Sequence, residues 1–463
     1  MTNPGEKAWL PDLVLHDGRF IADTAILADE NGCITRLLPA EQVTDAVRLS
    51  DQALLPGLVN AHSHAFQRVI RARTEYRSAI EDNFWTWREQ MYSAASRLDP
   101  EDLYRASRMA FLEMALNGIT CVGEFHYIHN APNGSPYSDT NLLAKEVIRA
   151  AVDVGIRIVL LRVAYARAGF QKDQNPLQVR FIEDSPDTYL KAVDSLVQEL
   201  KNELLAQVGI APHSVRAVPL DYLKTVIAFA GSRQLPVHMH VAEQPGEVSD
   251  CISEYGRSPF ALLQTEGLLS ERFTAVHAIH VTPKAIEAFA QTGAQVCACP
   301  TTERNLGDGV VPVADYFSRN VKVSLGTDSQ VQIDLLEDTR ELEYHLRLQR
   351  RERNILAPSN LSGRDSLARS LFECATTNGT ASLGTRGGIE PGASLDFFTI
   401  DLRDPSLAGS SNDSLLASIV FSASRATIRN VVVAGKHIVA DGCHAKQSEI
   451  VNQFQALQKK LWS

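Results

Sequence analysis

The sequence predicts an α/β fold, a (β/α)8 TIM-like barrel joined to a small β-sandwich that both chain ends build. Three observations predict it. From about residue 53, short apolar runs alternate with longer amphipathic segments. Eight such runs occur over about 320 residues, within the usual size range of this barrel. The two ends instead show short strands broken by Asp-Gly and Asn-Gly turns.

The eight apolar runs are the candidate barrel strands. In chain order they read "ALLPGLVNAHSH", "TCVGEFHYI", "RIVLLRVAYA", "QVGIAPHSV", "PVHMHVAE", "FTAVHAIHV", "AQVCACPTT" and "VKVSLGTDS". Segments with helical periodicity separate them, such as "PEDLYRASRMAFLEMALNG" and "PLDYLKTVIAFAGSRQ". Several open on Pro, Asp or Ser and close on Gly, as helix ends prefer. A doubly wound open sheet is the structural alternative.

The two chain ends share one sequence pattern, in which short strands alternate with turns. It is present in "DLVLHDGRF", "TAILADENGCITRLL" and "VRLSDQALLPG", and it returns in "ASLDFFTIDL" and "ATIRNVVVAGKHIVADG". Two β-rich ends that flank a barrel most simply pair with each other. We therefore predict the N-terminal part of the sandwich over 1–52, the barrel over 53–378, the C-terminal part of the sandwich over 379–446 and a terminal helix over 447–463.

Composition restricts the class of protein. The 463 residues are 44% hydrophobic and 22% charged, which supplies a core and argues against bulk disorder. The net charge of −10 argues against a nucleic-acid partner. Seven cysteines without regular spacing favour a reducing compartment, and Cys297 and Cys299 in "CAC" are interpreted as part of a buried strand. With no signal peptide and no apolar run of about 20 residues, we expect a cytoplasmic protein without a membrane partner.

Chemistry-bearing residues stand at the ends of the candidate strands. Two histidines in "HSH" end the first strand, and residues i and i+2 of a strand project to one side. Others end the fifth, sixth and eighth strands. In a barrel these ends form the face that carries active sites, so residues distant in sequence converge there. The set is His62, His64, His240, Glu243, His277 and Asp328.

Three imidazoles and one carboxylate are a suitable ligand set for a metal ion. We predict one divalent ion held by His62, His64, His240 and Asp328, with zinc expected and iron or manganese as alternatives. Such an ion lowers the pKa of bound water to about 7, which produces a nucleophile at neutral pH. Each motif alone has a commoner structural interpretation, so the prediction depends on their convergence.

The residues beside these ligands suggest proton transfer. Glu243 is placed to take a proton from water and pass it to a leaving group, and His277 to stabilise developing charge. His280 more simply packs or caps. His238, two residues before His240, is the rival metal ligand.

"PGLVNAHSH", "HVAEQ", "VHAIHV" and "GTDS" together resemble the amidohydrolase superfamily, in the branch with one metal that deaminates ring or amidine carbons. The resemblance continues to "GGIEPGASLDFFTIDL", nearly the whole chain. Its pattern places the ligand directly before x-x-E, which favours His240 over His238. Many dinuclear members carry a carboxylated Lys at the end of strand four, where this chain reads "IAPHSVRA". The resemblance therefore implies a single metal.

Further segments carry a narrower resemblance. "HSHAFQR", "FWTWRE", "FHY", "APHSVRAV" and "HMHVAEQ" resemble the formimidoylglutamate deiminases of histidine breakdown. This implies hydrolysis of N-formimidoyl-L-glutamate to N-formyl-L-glutamate and ammonia, in a homodimer. It assigns catalysis to Glu243 and His277, and binding of a small anionic, amino-acid-derived substrate to Gln67, Arg88, Tyr127, His213 and Arg216.

Two arginines near the mouth of an acidic protein also suggest an anionic substrate, because guanidinium binds carboxylate bidentately. The structural alternatives are an ion pair of Arg88 with Glu81 or Glu89, a capping role for Arg216, and a core position for Tyr127. The functional alternatives are a deaminase of a purine, pyrimidine or related heterocycle, and a catalytically inactive scaffold.

Overall fold

The computed structural model of the chain describes residues 5–77, 82–173, 175–358 and 363–463. Five strands come first, and they are β1 (Lys7–His16), β2 (Arg19–Ala22), β3 (Thr24–Ala28), β4 (Ile34–Pro39) and β5 (Ala46–Pro56). Among the described residues, no helix is both long enough and apolar enough to cross a membrane.

Eight strands then alternate with helices, in the order β6 (Leu58–Ser63), α1 (Phe84–Ala95), α2 (Pro100–Leu116), β7 (Ile119–His126), α3 (Leu142–Val154), β8 (Arg157–Ala164), α4 (Pro186–Glu199), β9 (Ala206–Pro212), α5 (Leu220–Arg233), β10 (Val237–Val241), α6 (Pro245–Tyr255), α7 (Pro259–Thr265), β11 (Phe273–His277), α8 (Pro283–Ala290), β12 (Gln295–Ala298), α9 (Pro300–Leu306), α10 (Val313–Phe317) and β13 (Val323–Leu325). The chain continues with α11 (Leu335–Arg350), α12 (Ser366–Cys374), α13 (Thr377–Leu383), β14 (Phe397–Asp401), α14 (Leu415–Ser422), β15 (Ile428–Val433), β16 (Lys436–Ala440), β17 (Cys443–His444) and α15 (Gln447–Trp462).

Strands β6 to β13 form one parallel sheet in consecutive order. An open doubly wound sheet reverses its strand order part-way, so this alternative is excluded. The sheet closes just beyond β13, where Ser63 and Asp328 form a parallel bridge. The predicted fold class, a TIM-like barrel with a second sheet from both chain ends, is confirmed.

Local sequence explains why these segments take these forms. Every residue of β6, β7 and β10 is buried, as expected for barrel strands covered on both faces. Several helices begin with Pro in the first turn, where its missing N–H costs nothing. The Asp99 side chain accepts a hydrogen bond from Asp102 N and fixes the start of α2. Strand ends and helix starts therefore meet at one mouth of the barrel.

The two chain ends build one nine-stranded sheet, in the order β17-β16-β15-β14-β5-β1-β3-β4, with β2 paired to β1. Strand β5 pairs antiparallel with β14 and parallel with β1. Trp9 and Phe397 are fully buried in the core of this sheet, with ring centroids 5.3 Å apart. The predicted domain boundaries stay predictions, and the one between residues 378 and 379 falls within α13.

Gly326 lies just after β13 and packs against β6, the first strand of the barrel. A Cβ placed there would lie 2.7 Å from both Cβ and O of His62, and backbone cannot yield as a flexible side chain can. We expect Gly326→Ala to lower the free energy of unfolding by about 1–3 kcal/mol, as overpacking does. Denaturant titration would measure it.

Gly231→Ala is the matched control, because Gly231 lies within α5 and a Cβ there meets nothing within 4 Å. It should leave stability unchanged or raise it by up to about 1 kcal/mol. Equal effects of the two substitutions would contradict close packing between Gly326 and His62.

Candidate active site

Four predicted metal ligands converge at the barrel mouth. One ligand atom from each lies within 4.8 Å of the others, and all four side chains are buried, namely His62, His64, His240 and Asp328. His62 Nε2 lies 3.2 Å from His240 Nε2 and 3.3 Å from Asp328 Oδ1. His64 Nε2 lies 3.2 Å from the same carboxylate oxygen. Residues from β6, β10 and the segment after β13 thus face one point.

Backbone carbonyls set the orientation of two of these imidazoles. His64 Nδ1 donates to Phe125 O at 2.9 Å, and His240 Nδ1 donates to His213 O at 3.1 Å. Each ring then carries its hydrogen on Nδ1 and presents a lone pair on Nε2 to the centre. Burial lowers the pKa of His62 to about 3, which keeps this ring neutral. Three neutral imidazoles and a carboxylate fit a divalent ion of the zinc type.

Polar side chains behind the ligands fix the loops that carry them. Asn60 Oδ1 accepts from Thr327 N at 3.0 Å, and its Nδ2 donates to Thr327 Oγ1 at 2.7 Å. Gln330 Nε2 donates to Ser63 Oγ at 2.8 Å, and Ser63 Oγ donates to Glu124 Oε2 at 2.6 Å. These hydrogen bonds connect β6, the first barrel strand, to the segment that contains Asp328. It pre-organises the site before any ligand binds.

Glu243 and His277 face each other beside the ligands. His277 Nε2 lies 3.6 Å from Glu243 Oε1, while its Nδ1 lies 3.2 Å from Glu303 Oε1. Burial raises the pKa of Glu243 to about 7. Burial alone would lower the pKa of His277, but the carboxylates of Glu243, Glu303 and Asp328 outweigh it and raise it well above its usual value. A carboxyl group whose pKa lies near neutral pH, placed beside an imidazole, suits general acid-base chemistry.

Left-handed backbone occurs at three strand ends of the site. The residues are Ala242 (φ 54°), His277 (φ 66°) and Asp328 (φ 47°). This conformation is costly for residues other than glycine and tends to cluster at functional sites. These turns occur where β10, β11 and the segment after β13 reach the mouth of the barrel.

All five predicted substrate-binding residues line the pocket above the ligands. Gln67, Arg88, Tyr127, His213 and Arg216 share it with His64, His240, Glu243 and Asp328. Helix α1 and the end of α9 close it with Phe84, Trp87, Met91, Tyr92 and Leu306. The pocket is thus apolar on one wall and strongly polar at its base.

The two arginines of this pocket have unsatisfied nitrogens. Nε and Nη1 of Arg88 and Nε of Arg216 are buried without a hydrogen-bond partner in the described part of the chain. Both guanidinium groups lie near the Trp85 ring, with Cζ 4.5 Å and 5.7 Å from its centroid. The N-cap of α5 is Pro219, which has no side-chain cap, so a capping role for Arg216 is not observed. Glu81 lies outside the described residues.

Gln67 and Tyr127 also line this pocket, and a hydrogen bond joins their side chains. Gln67 Nε2 donates to the Tyr127 hydroxyl at 3.1 Å, and this hydroxyl donates to Met91 Sδ at 3.5 Å. Gln67 Oε1 is buried and has no hydrogen-bond partner among the described residues. It is therefore an available acceptor for an N–H group of a ligand.

Two further histidines discussed in the sequence analysis, His238 and His280, lie apart from the group of metal ligands. His238 Nε2 contacts Ser382 O in α13 at 2.9 Å, one layer deeper in the barrel. His280 Nε2 contacts Asp308 O at 2.9 Å. The structure thus brings His240, and not its rival His238, to the cluster.

Sequence reasoning missed Glu303, Glu124 and the α1 wall. Glu303 in "CPTTER" lies in α9, the short helix after β12, so its sequence position did not mark it as a strand-end residue. Glu124 in "GEFHY" lies inside an apolar strand, where a buried acid is unusual. The wall of α1 had only a run of aromatic residues as its signal.

Residues 53–438 match the amidohydrolase family. The chain belongs to this family. It is 37% identical to formimidoylglutamate deiminase of Pseudomonas aeruginosa, over 97% of each chain. It is 28% identical to a 5-methylthioadenosine/S-adenosylhomocysteine deaminase of Moorella thermoacetica, over 87% of this chain and 85% of that protein.

Solved structures agree with the family assignment. An amidohydrolase from Brucella melitensis is 33% identical, with a TM-score of 0.91 over 99% of this chain and 100% of that one. An adenosine deaminase from Xanthomonas campestris with bound zinc shares the fold, at 23% identity and a TM-score of 0.82 over 98% of each chain. The chain is accordingly a hydrolase that acts on carbon–nitrogen bonds.

Matched substitutions test which of the two histidines of β10 binds the metal. We expect His240→Asn to lose most of its bound metal, because it removes an imidazole that faces the ligand cluster. His238→Asn should keep a full complement, since His238 contacts Ser382 instead. Metal content of the purified proteins, determined by mass spectrometry, would check this. Loss of metal in His238→Asn alone would contradict the assignment.

Proposed function

We propose that this enzyme is a formimidoylglutamate deiminase. It hydrolyses N-formimidoyl-L-glutamate to N-formyl-L-glutamate and ammonia, a step of histidine breakdown. One observation carries the proposal, namely that the pocket above the metal-ligand cluster holds two arginines with buried, unpaired guanidinium nitrogens. The 37% identity to a formimidoylglutamate deiminase over 97% of the chain supports it.

Two carboxylates of one substrate are the groups that would satisfy these arginines. Arg88 comes from α1 and Arg216 from the segment after β9, so they reach the pocket from different elements. Guanidinium groups bind carboxylates through two parallel charge-assisted hydrogen bonds. Neutral purines and pyrimidines would leave both arginines without a partner, at a cost of several kcal/mol. A dicarboxylate such as glutamate fits this pocket better.

His62, His64, His240 and Asp328 would hold one divalent ion, which we propose to be zinc. When bound, such an ion lowers the pKa of a water molecule and so supplies a nucleophile at neutral pH. The imidazoles contribute fixed lone pairs, and the backbone carbonyls behind them keep the rings in place.

Glu243 is the proton carrier in this proposal. Its carboxyl group takes one proton from the attacking water and a second from the hydroxyl group of the resulting tetrahedral adduct. It delivers both to the imino nitrogen, which leaves as ammonia as the carbonyl group forms and the carbon–nitrogen bond breaks. His277 donates from Nε2 to the oxygen that adds to the formimidoyl carbon, because Glu303 holds its other nitrogen. Gln67 Oε1 accepts from an N–H group of the amidine. Tyr127 and His213 bind the same substrate.

Assembly as a homodimer and location in the cytoplasm stay predictions from the sequence. The proposal does not depend on either, because every residue invoked in it comes from a single chain.

Ammonia release from a substrate panel tests the reaction. We expect kcat/KM for N-formimidoyl-L-glutamate to exceed that for guanine, cytosine, adenosine and 5-methylthioadenosine by about 10⁴-fold, because neutral compounds leave the buried arginines unpaired. Enzymatic detection of ammonia would measure each rate. Turnover of a heterocycle but not of formimidoylglutamate would instead establish the alternative, a heterocycle deaminase.

Replacing Arg216 tests the carboxylate contact separately from the chemistry. Arg216→Met should raise KM for formimidoylglutamate by about 30-fold, equivalent to about 2 kcal/mol, with unchanged metal content. Arg233→Met is the control, since Arg233 pairs with Asp194 on a half-exposed surface at 2.7 Å. An unaltered KM in Arg216→Met would remove this residue from carboxylate binding without affecting the proposed reaction.

A further inference from the structure

One polar group interrupts the apolar wall that α1 contributes to the pocket. Tyr92 lines the pocket beside Phe84, Trp87 and Met91, and it is 2% exposed. Tyr92 follows Arg88 by four residues, so both side chains lie on one face of the helix. The Arg88 Cζ lies 5.4 Å from the centroid of the Tyr92 ring. The Tyr92 ring therefore packs beside one of the two arginines of the pocket.

A buried glutamine fixes the hydrogens around the Tyr92 hydroxyl. Gln178 Nε2 donates to the Tyr92 hydroxyl at 3.0 Å and to the Tyr165 hydroxyl at 2.6 Å. The two hydroxyl oxygens lie 3.4 Å apart. Gln178 and Tyr165 are 2% and 1% exposed, and neither lines the pocket. Both hydrogens of the Gln178 amide are thus used, and each hydroxyl must direct its own hydrogen elsewhere.

The hydroxyl pair retains one hydrogen without an acceptor. Among the described residues, each hydroxyl has the other as its only further hydrogen-bond neighbour. One hydroxyl can donate to the other, and the second then has no acceptor in the described part of the chain. Burial raises the pKa of Tyr165 well above its usual value, so this group keeps its hydrogen and can donate to Tyr92. Tyr92, which borders the pocket, is then the hydroxyl whose hydrogen is available to a ligand.

We propose that the Tyr92 hydroxyl donates a hydrogen bond to a substrate carboxylate that Arg88 also binds, and that Gln178 and Tyr165 position this hydroxyl. Nε and Nη1 of Arg88 are buried without a partner among the described residues, so a carboxylate would satisfy the guanidinium and the phenol together. The inference rests on the proposed function and deepens it. Tyr92 is a specificity residue for the dicarboxylate, and Gln178 and Tyr165 are positioning residues.

Binding of the proposed product tests this contact without turnover. N-formyl-L-glutamate is titrated into the holoenzyme by isothermal calorimetry. Tyr92→Phe keeps the ring and removes the hydroxyl, so we expect Kd to rise about 10–30-fold, as on loss of a hydrogen bond to a charged group. Metal content should not change. Tyr222→Phe is the matched control and should keep Kd, because the Tyr222 hydroxyl donates to Glu183 O at 3.1 Å outside the pocket.

Analogues that lack one carboxylate identify the acceptor. 4-Formamidobutanoate lacks the α-carboxylate, and N-formyl-L-glutamine carries an amide in place of the γ-carboxylate. Tyr92→Phe should weaken binding of one analogue as much as it weakens binding of N-formyl-L-glutamate. The other analogue, which lacks the contacted carboxylate, should bind both proteins within about 2-fold, as expected for independent changes. A purely structural effect of the substitution would weaken both analogues alike.

Gln178→Met tests the positioning role. This substitution keeps the length of the side chain and removes both amide donors, so Kd for N-formyl-L-glutamate should rise about 3–10-fold. Combined with Tyr92→Phe, it should add nothing to the effect of Tyr92→Phe alone, because Gln178 acts through the Tyr92 hydroxyl. Additive losses in the double variant would contradict this role.

Two results would overturn the carboxylate contact: an unaltered Kd for N-formyl-L-glutamate in Tyr92→Phe, or an equal loss of affinity for both analogues. Neither result would affect the proposed reaction, which ammonia release measures separately. Failure of formimidoylglutamate to release ammonia would instead overturn the proposed function, and this inference with it.

Discussion

The barrel closes through the same residues that form its active site. Strands β6 and β13 meet at a seam where Asp328 N donates to His62 O and His64 N donates to Asp328 O, both at 3.0 Å. Gly326 allows this approach, because any side chain there would meet the backbone of His62. Closure of the sheet and placement of three metal-ligand side chains are thus one structural event. Damage to the seam affects stability and catalysis together.

This arrangement concentrates several features that lower the stability of the fold in one region. The ligand imidazoles and Asp328 are all removed from water, and three residues of the site hold left-handed backbone. Hydrogen bonds from Asn60, Gln330 and Ser63 offset part of that cost by fixing the surrounding turns. The remainder is offset by the rest of the fold, whose barrel strands are almost entirely buried. A rigid scaffold is therefore a requirement of the site.

Apolar periodicity predicted all eight barrel strands, because strands covered on both faces read as continuous apolar runs. The strand ends then predicted which distant residues would meet, as His62 and Asp328 do. Glu303 could not be assigned in this way, since its contact with His277 depends on the path of a short helix after β12. The apolar wall of α1 was also beyond prediction, because it comes from the connection after β6, whose direction no periodicity specifies.

The pairing of β5 with β14 has a consequence for synthesis of the chain. Leu55 lies opposite Phe398, so the whole barrel is made between the two partners. As the ribosome produces the chain from its N-terminus, β5 emerges early and exposes an apolar edge until β14 follows. Contacts so distant in sequence also slow folding. The nascent protein consequently passes through a long interval in which protection by chaperones, or prompt closure of the barrel, decides between folding and aggregation.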